Sequence, residues 1–228
     1  MPRQPRVVVP DQPHHVTQRG NRRSPIFFEA GDEQIYLDLM ARECRRREVG
    51  IWAYCLMPNH VHLVLTPRSA DGLGLAVGEA HRRYTNYVNI RGGWTGHLFQ
   101  SRFASVAMDE AHLLAAFRYI SLNPVRAGLV ARAEDWAWSS ARAHIKGVDD
   151  GVVVVAPALA RFDGFADLLA AGAEDEADRF AALRAAETTG RPVGSAAFVA
   201  GLERRLGRVL AAPRRGRPVG SKIMMKME

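Results

Sequence analysis

Two histidines one residue apart, His60 and His62, and a tyrosine with an asparagine four residues further on, Tyr119 and Asn123, have the types and spacing that chemistry needs. On a strand, side chains at i and i+2 point to the same face. Two imidazoles so placed can share a metal ion, and neutral imidazole is a common ligand. On a helix, residues four apart share a face. A tyrosine oxygen is a competent nucleophile when something lowers the barrier. A divalent cation does this by polarising a phosphodiester oxygen and offsetting the charge that develops. The amide oxygen of Asn123 is a hard donor suited to Mg2+ or Mn2+, and imidazole tolerates Mn2+. Plainer readings stand beside these: two sheet histidines with no metal, and a core tyrosine with Asn123 capping a helix before Pro124.

Rival chemistries find no support. There is no GxxxxGK[ST] loop, so no nucleotide cofactor is expected, and no GxSxG. Cys44 falls in a charged helical stretch and Cys55 in an apolar strand, surroundings that do not activate a thiol. Tyr36, Tyr54, Tyr84 and Tyr87 lack a polar partner placed like Asn123. Tyr84 and Tyr87, beside Arg82 and Arg83, suit stacking on bases, or equally a helix with a solvated basic face and aromatic core contacts.

The elements that must position these residues follow from periodicity. HHVTQR (14–19) alternates as a strand. Asp32 can cap a helix through EQIYLDLMARECRRREV. IWAYCLM (51–57) and VHLVLT (61–66) read as strands joined by a turn at Pro58-Asn59. A helix is expected over roughly Leu73 to Asn89, a strand over 103–108, and a helix capped by Asp109 that ends near Pro124. The order is βαββαβ, so the fold class expected is α+β: a ferredoxin-like domain, an antiparallel sheet with helices on one face.

After about residue 148 the signal changes. Residues 1–148 carry a net +6, residues 149–188 a net −6 and residues 189–228 a net +7. Two segments are expected: a domain at 1–148, and at 149–228 an acidic spacer with a basic, helical and partly disordered extension. VVVVAPALARF could be strand or spacer; 176–187 and 195–210 carry helical patterns. GRPVGS occurs at 190–195 and again at 216–221. Around the second copy, RGRP with Arg215 and Arg217 resembles the core of an AT-hook, a minor-groove peptide; a basic tail binding any polyanion is the simpler alternative.

Overall the chain has 228 residues, net charge +7 and a pI of about 10, a balance that favours nucleic acid as partner. Only three of its 31 basic residues are lysine; arginine suits bidentate phosphate contacts, though a GC-rich genome also explains the bias. No membrane span and no signal peptide are read, and two cysteines without a framework fit a reducing cytoplasm.

The ordered blocks HHVTQRGNRR, AYCLMPNHVHLVL, RRYTNYVN, GHLFQSRF, FRYISLNPVRAGLV and WAWSS, within about residues 3–145, resemble the REP-associated tyrosine transposases, a group of single-tyrosine HUH transposases. The resemblance implies His60, His62 and Asn123 as ligands of Mg2+ or Mn2+ and Tyr119 as nucleophile. It implies cleavage and rejoining of single-stranded or hairpin DNA through a 5′-phosphotyrosine link, by a monomer or homodimer. Arg19, Arg22, Arg23, Arg82, Arg83 and Arg102 in these blocks, with Arg215 and Arg217, are the expected DNA contacts. Many members have histidine where this chain has Ser121, a change expected to weaken a local DNA contact. A relaxase-like nickase and an inactive hairpin-binding regulator are the alternatives.

Overall fold

A computed structural model describes residues 6–161, 164–170 and 174–210. Four strands, β1 (His14–Arg19), β2 (Val49–Met57), β3 (His60–Pro67) and β4 (Ala104–Ala107), form one antiparallel sheet in the order β2-β3-β1-β4. Helix α1 (Asp32–Arg46) joins β1 to β2, and α2 (Gly72–Gly92) joins β3 to β4. The expected βαββαβ order is therefore the observed one, with β1 matching residue for residue.

Strand alternation sends side chains into two cores. Val16, Val61 and Leu63 pack with Tyr36, Met40 and Val77 of α1 and α2. Cys55, Val64 and Val106 face the other way, onto Phe117 and Ile120 of α3 (Glu110–Arg126). Helices thus cover both faces, and the expectation of a single covered face holds for α1 and α2 only. The reason is the stripe Leu113, Ala116, Phe117, Ile120 on α3, an apolar face that needs a second surface to bury it.

Capping decides where the tyrosine helix begins. Asp109 accepts from the His112 backbone N–H at 3.1 Å, the N-cap that the sequence implies. Pro124 does not stop α3, which runs to Arg126; the Ala127 N–H donates to the Asn123 carbonyl at 3.0 Å. Asn123 is therefore interior to the helix and is not its cap. Asp32 also departs from expectation. It is the first residue of α1, after Gly31 at φ 95°. Its carboxylate accepts from the backbone N–H groups of Phe28 and Glu29 and pairs with Arg91 of α2, tying the two helices together.

The chain after α3 folds onto this body. Short helices α4 (Ala141–Lys146), α5 (Ala156–Leu159) and α6 (Phe165–Ala170) lead to α7 (Glu174–Glu187) and α8 (Ala196–Leu206). The valine run at 152–155 is irregular and joins the first core through Val153 and Val155. Phe165, Phe180 and Leu183 complete the second core, and Leu202 packs with Val7 and Val9. Both sheet edges are covered: Trp138 accepts from the Leu56 N–H at 2.8 Å, and Val193, in the first GRPVGS copy, donates to the Ala107 carbonyl at 2.9 Å. The second copy, with Arg215 and Arg217, lies outside the described residues.

Candidate active site

β3 puts His60 and His62 on the α3 face of the sheet while Val61 and Leu63 enter the opposite core. The two rings are 5.0 Å apart, centroid to centroid, at 83°. His60 Nδ1 is 2.6 Å from Asn59 Oδ1, an acceptor, which places the proton on Nδ1 and leaves Nε2 with a lone pair. His62 Nδ1 is 3.0 Å from Nε2 of His15 on β1. His62 Nε2 is buried and makes no hydrogen bond among the described residues. Burial, aided by Arg19, pushes His60 down to about 4; burial, with His15, His60 and Arg19, holds His62 well below the ordinary range. Both imidazoles are therefore neutral at physiological pH, the form that binds metal.

Tyr119 stands beside this pair. Its ring centroid is 5.6 Å from that of His62, edge to face. The phenol is half-buried, and burial pushes it above its ordinary value while Arg184 and Arg126 pull it down. The Arg126 guanidinium lies 5.1 Å from the Tyr119 ring centre, and Phe180 of α7 stacks nearly parallel on the ring, at 12°. Asn123 follows one turn later, buried, with an Nδ2 that makes no hydrogen bond among the described residues. His62 of β3 and Tyr119 of α3 thus meet, with His60 beside His62 and Asn123 one helical turn from Tyr119.

The donor chemistry fits a divalent cation. Two neutral imidazoles present or can present Nε2, and Asn123 offers an amide one helical turn from Tyr119. Among the described residues no cluster of three His, Cys, Asp or Glu side chains stands in metal-binding geometry. A set of two imidazoles and one neutral amide oxygen would make a site open to substrate rather than a closed structural one. Thiol chemistry is out of reach: Cys44 and Cys55 are buried, and burial pushes both up to about 12.

An open cavity of about 690 Å³ lies over the histidines, lined by Thr17, Arg19, His60, His62, Arg102 and Glu187 among others. Arg102 also lines an adjoining cavity of about 650 Å³ that reaches Arg82 and His97. Arg19 and Arg102 are thus beside the site. Arg22 and Arg23 are exposed on the loop after β1, both in the left-handed region, at φ 52° and 63°. Arg82 and Arg83 are held by Glu79 at 2.8 and 2.7 Å, and Arg83 also lies 3.6 Å from buried Glu43. Ser121 is 1% exposed and faces the interior, so this side chain does not reach DNA directly.

Residues 9–123, about half the chain, match the family model described as "Transposase IS200 like". The chain belongs to the IS200-like transposase family. The matched span of this transposase runs from before β1 to Asn123 and so includes His60, His62, Tyr119 and Asn123. It is 22% identical to a REP-associated tyrosine transposase of Escherichia coli over 53% of this chain and 70% of that protein. It is 26% identical to a putative one of Haemophilus influenzae over 41% of this chain and 60% of that protein. A solved REP-associated tyrosine transposase bound to a REP hairpin has the same fold: TM-score 0.55, 22% identity, 68% of this chain and 92% of that one. Among the described residues no helix is long and apolar enough to cross a membrane.

Sequence reasoning missed His15, Thr17, Phe180 and Glu187, which the structure brings to the same place. His15, Thr17 and Arg19 share a strand face by period two, a signal present in HHVTQR. What the period does not reveal is the register that pairs Thr17 with His62 and Arg19 with His60.

Proposed function

We propose that this transposase cleaves and rejoins single-stranded DNA with Tyr119 as nucleophile, at a site where His60, His62 and Asn123 hold Mg2+ or Mn2+. The observation that carries the reading is a tyrosine ring 5.6 Å from a histidine whose buried Nε2 has no hydrogen bond among the described residues. A buried imidazole nitrogen without a partner is costly unless a ligand takes it. When bound, the cation supplies Lewis-acid polarisation of the scissile phosphate.

The rest is done by this chain's own groups. The Tyr119 oxygen attacks phosphorus, the bond to the 3′-oxygen breaks, and a 5′-phosphotyrosine link and a free 3′-hydroxyl result. The phenolic proton is lost and the departing 3′-oxygen gains one. Burial disfavours a free phenolate, so proton loss accompanies attack, and Arg126 and Arg184 favour the charge that develops. A 3′-hydroxyl then attacks the link and frees Tyr119. One phosphodiester is exchanged for another, so no nucleotide is consumed. Tyr119 and His62 of one chain are adjacent, which supports cleavage in cis.

A relative was solved with a REP hairpin, and we extend hairpin DNA to this chain as substrate class. Arg19 and Arg102 around the larger cavity suit phosphate backbone contacts, with Arg22 and Arg23 on the neighbouring loop. The test is incubation of the full chain with end-labelled hairpin oligonucleotides, taken from palindromes beside its gene, and Mn2+. A covalent protein–DNA adduct that survives denaturing electrophoresis is expected. Tight hairpin binding without an adduct would favour a regulator.

A further inference from the structure

The nitrogens on the far side of the metal-facing ring form a line. His62 Nδ1 meets His15 Nε2 at 3.0 Å. The two rings lie nearly parallel, at 2°, on adjacent strands. The other nitrogen of His15, Nδ1, is buried without a hydrogen bond among the described residues and lies 3.9 Å from Oε1 of Glu187, the last residue of α7. Burial pushes the Glu187 carboxyl above its ordinary range, while Arg19, a hydrogen bond from Thr17, the register partner of His62, and Arg184 favour its charged form.

The hydrogen bond between the two imidazoles can run in either direction, and the directions differ in consequence. If His15 donates from Nε2, then His62 carries its proton on Nε2, and that nitrogen is blocked. His15 then turns a lone pair towards the Glu187 carboxylate, an arrangement of like polarity. If His62 donates from Nδ1, its Nε2 is a free lone pair. His15 then carries its proton on Nδ1 and points it at the carboxylate. A gap of 3.9 Å is longer than a direct hydrogen bond, and a bridging water or a small shift of the side chain closes it. A carboxylate behind a histidine fixes tautomer and orientation of metal ligands in general; here a second histidine is interposed.

We infer that His15 and Glu187 are positioning residues for the metal ligand His62, a carboxylate–histidine–histidine relay that presents His62 Nε2 unprotonated to the cation. The inference rests on the reading of His60 and His62 as ligands and deepens it. It makes the end of α7, more than 120 residues from His62 in the chain, part of the cation site. Phe180 on the same helix stacks on Tyr119, so one element steadies both nucleophile and ligand.

The direct readout is the tautomer. Long-range 1H–15N spectra of the metal-free full chain, at a pH where both rings are neutral, should show His62 protonated on Nδ1 and bare on Nε2. His62 carrying its proton on Nε2 would overturn the relay. The second readout is Mn2+ affinity by calorimetry. Glu187→Ala should weaken binding by roughly 10-fold or more, in the range of second-sphere losses. Glu187→Gln keeps an acceptor and should recover most of that loss, which a merely structural role would not produce. His15→Ala should weaken binding at least as much, and because His15 is fully buried, the two Glu187 variants carry the test if it fails to fold. Unchanged affinity in Glu187→Ala, with wild-type binding that His62→Ala abolishes, defeats the relay alone. Wild-type binding that His62→Ala leaves intact defeats the ligand reading and the relay together.

Discussion

At the scale of single residues, the site turns on groups whose neutral forms burial enforces. Tyr119→Phe keeps the ring that stacks on Phe180 and removes only the attacking oxygen. Adduct formation should fall by roughly 10³-fold or more, as for loss of a nucleophile elsewhere, with hairpin affinity nearly unchanged. A mutant that still cuts at a comparable rate would transfer the role to another group. His60→Ala or His62→Ala removes an imidazole donor; each should cost roughly 100-fold or more in cleavage, the size of a lost charge-stabilising group. Excess EDTA should silence the wild type, and persistence of cleavage in chelator would end the metal reading. Asn123→Ala should be milder, because water can replace one neutral donor.

At the scale of elements, local periodicity was readable and long-range register was not. The i, i+2 pair on β3 and the i, i+4 pair on α3 follow from the periods of strand and helix, so His60, His62, Tyr119 and Asn123 stood out from their spacing. Asp109 as cap of α3 was readable for the same reason. Asp32 misled because its carboxylate turns back to Phe28 and Glu29 and across to Arg91, and only the packing of α1 on α2 reveals that. The period of β1 puts His15 on one face with Thr17 and Arg19, but its meeting with His62 and Glu187 depends on strand pairing and on where α7 docks, which no local signal carries. The acidic composition of 149–188 marked a different segment. It hid the apolar face that Phe180 and Leu183, three residues apart, present to α3.

The elements also carry buried histidines that set the acid limit of the fold. His14 is fixed between the Val9 N–H, at 3.2 Å, and the Gln12 carbonyl, at 2.7 Å. His81 meets the Tyr36 hydroxyl at 2.9 Å. Burial, opposed by the Gln12 and Val7 backbone, pushes His14 down to about 4; burial, with Arg6, pushes His81 down to about 3. Their folded values lie below the unfolded value of about 6.5, so the unfolded chain binds more protons in that interval. The stability they contribute is fully present above about pH 6.5 and is lost as pH falls towards 4 and 3. Urea midpoints measured from about pH 7.5 to 4 should fall with a steepening slope below about 6.5. A flat profile across that range would mean these rings stay exposed or are charged in the native state.

For the whole molecule, the question is whether the last 80 residues are an appendage or part of the body. Charge alone divides the chain near residue 148, and from that division the first 148 residues should fold and act without the rest. The packing argues otherwise. Phe165, Phe180 and Leu183 share one core with Val64, Phe117 and Ile120, and Val193 closes the β4 edge. Burying a side chain of this size stabilises by about 1.5–3 kcal/mol, so three of them approach the total stability of a typical domain, roughly 5–15 kcal/mol. Truncation after residue 148 should therefore lower the melting temperature by many degrees and cause aggregation through the bared α3 face and β4 edge. It also removes Glu187, so any folded fraction should bind Mn2+ weakly. Truncation after residue 210 separates the two effects. It keeps all the packing described above and removes five basic groups, Arg214, Arg215, Arg217, Lys222 and Lys226. Melting temperature and adduct chemistry should then match the full chain, while hairpin affinity drops. The salt slope should flatten by about 0.7 for each single-strand phosphate that the shortened chain no longer neutralises. Melting curves and binding titrations at several salt concentrations on the two truncations decide it. A chain ending at 148 that melts like the full protein would restore the two-segment division, and an unchanged salt slope after removal of 211–228 would mean that the basic tip does not touch DNA.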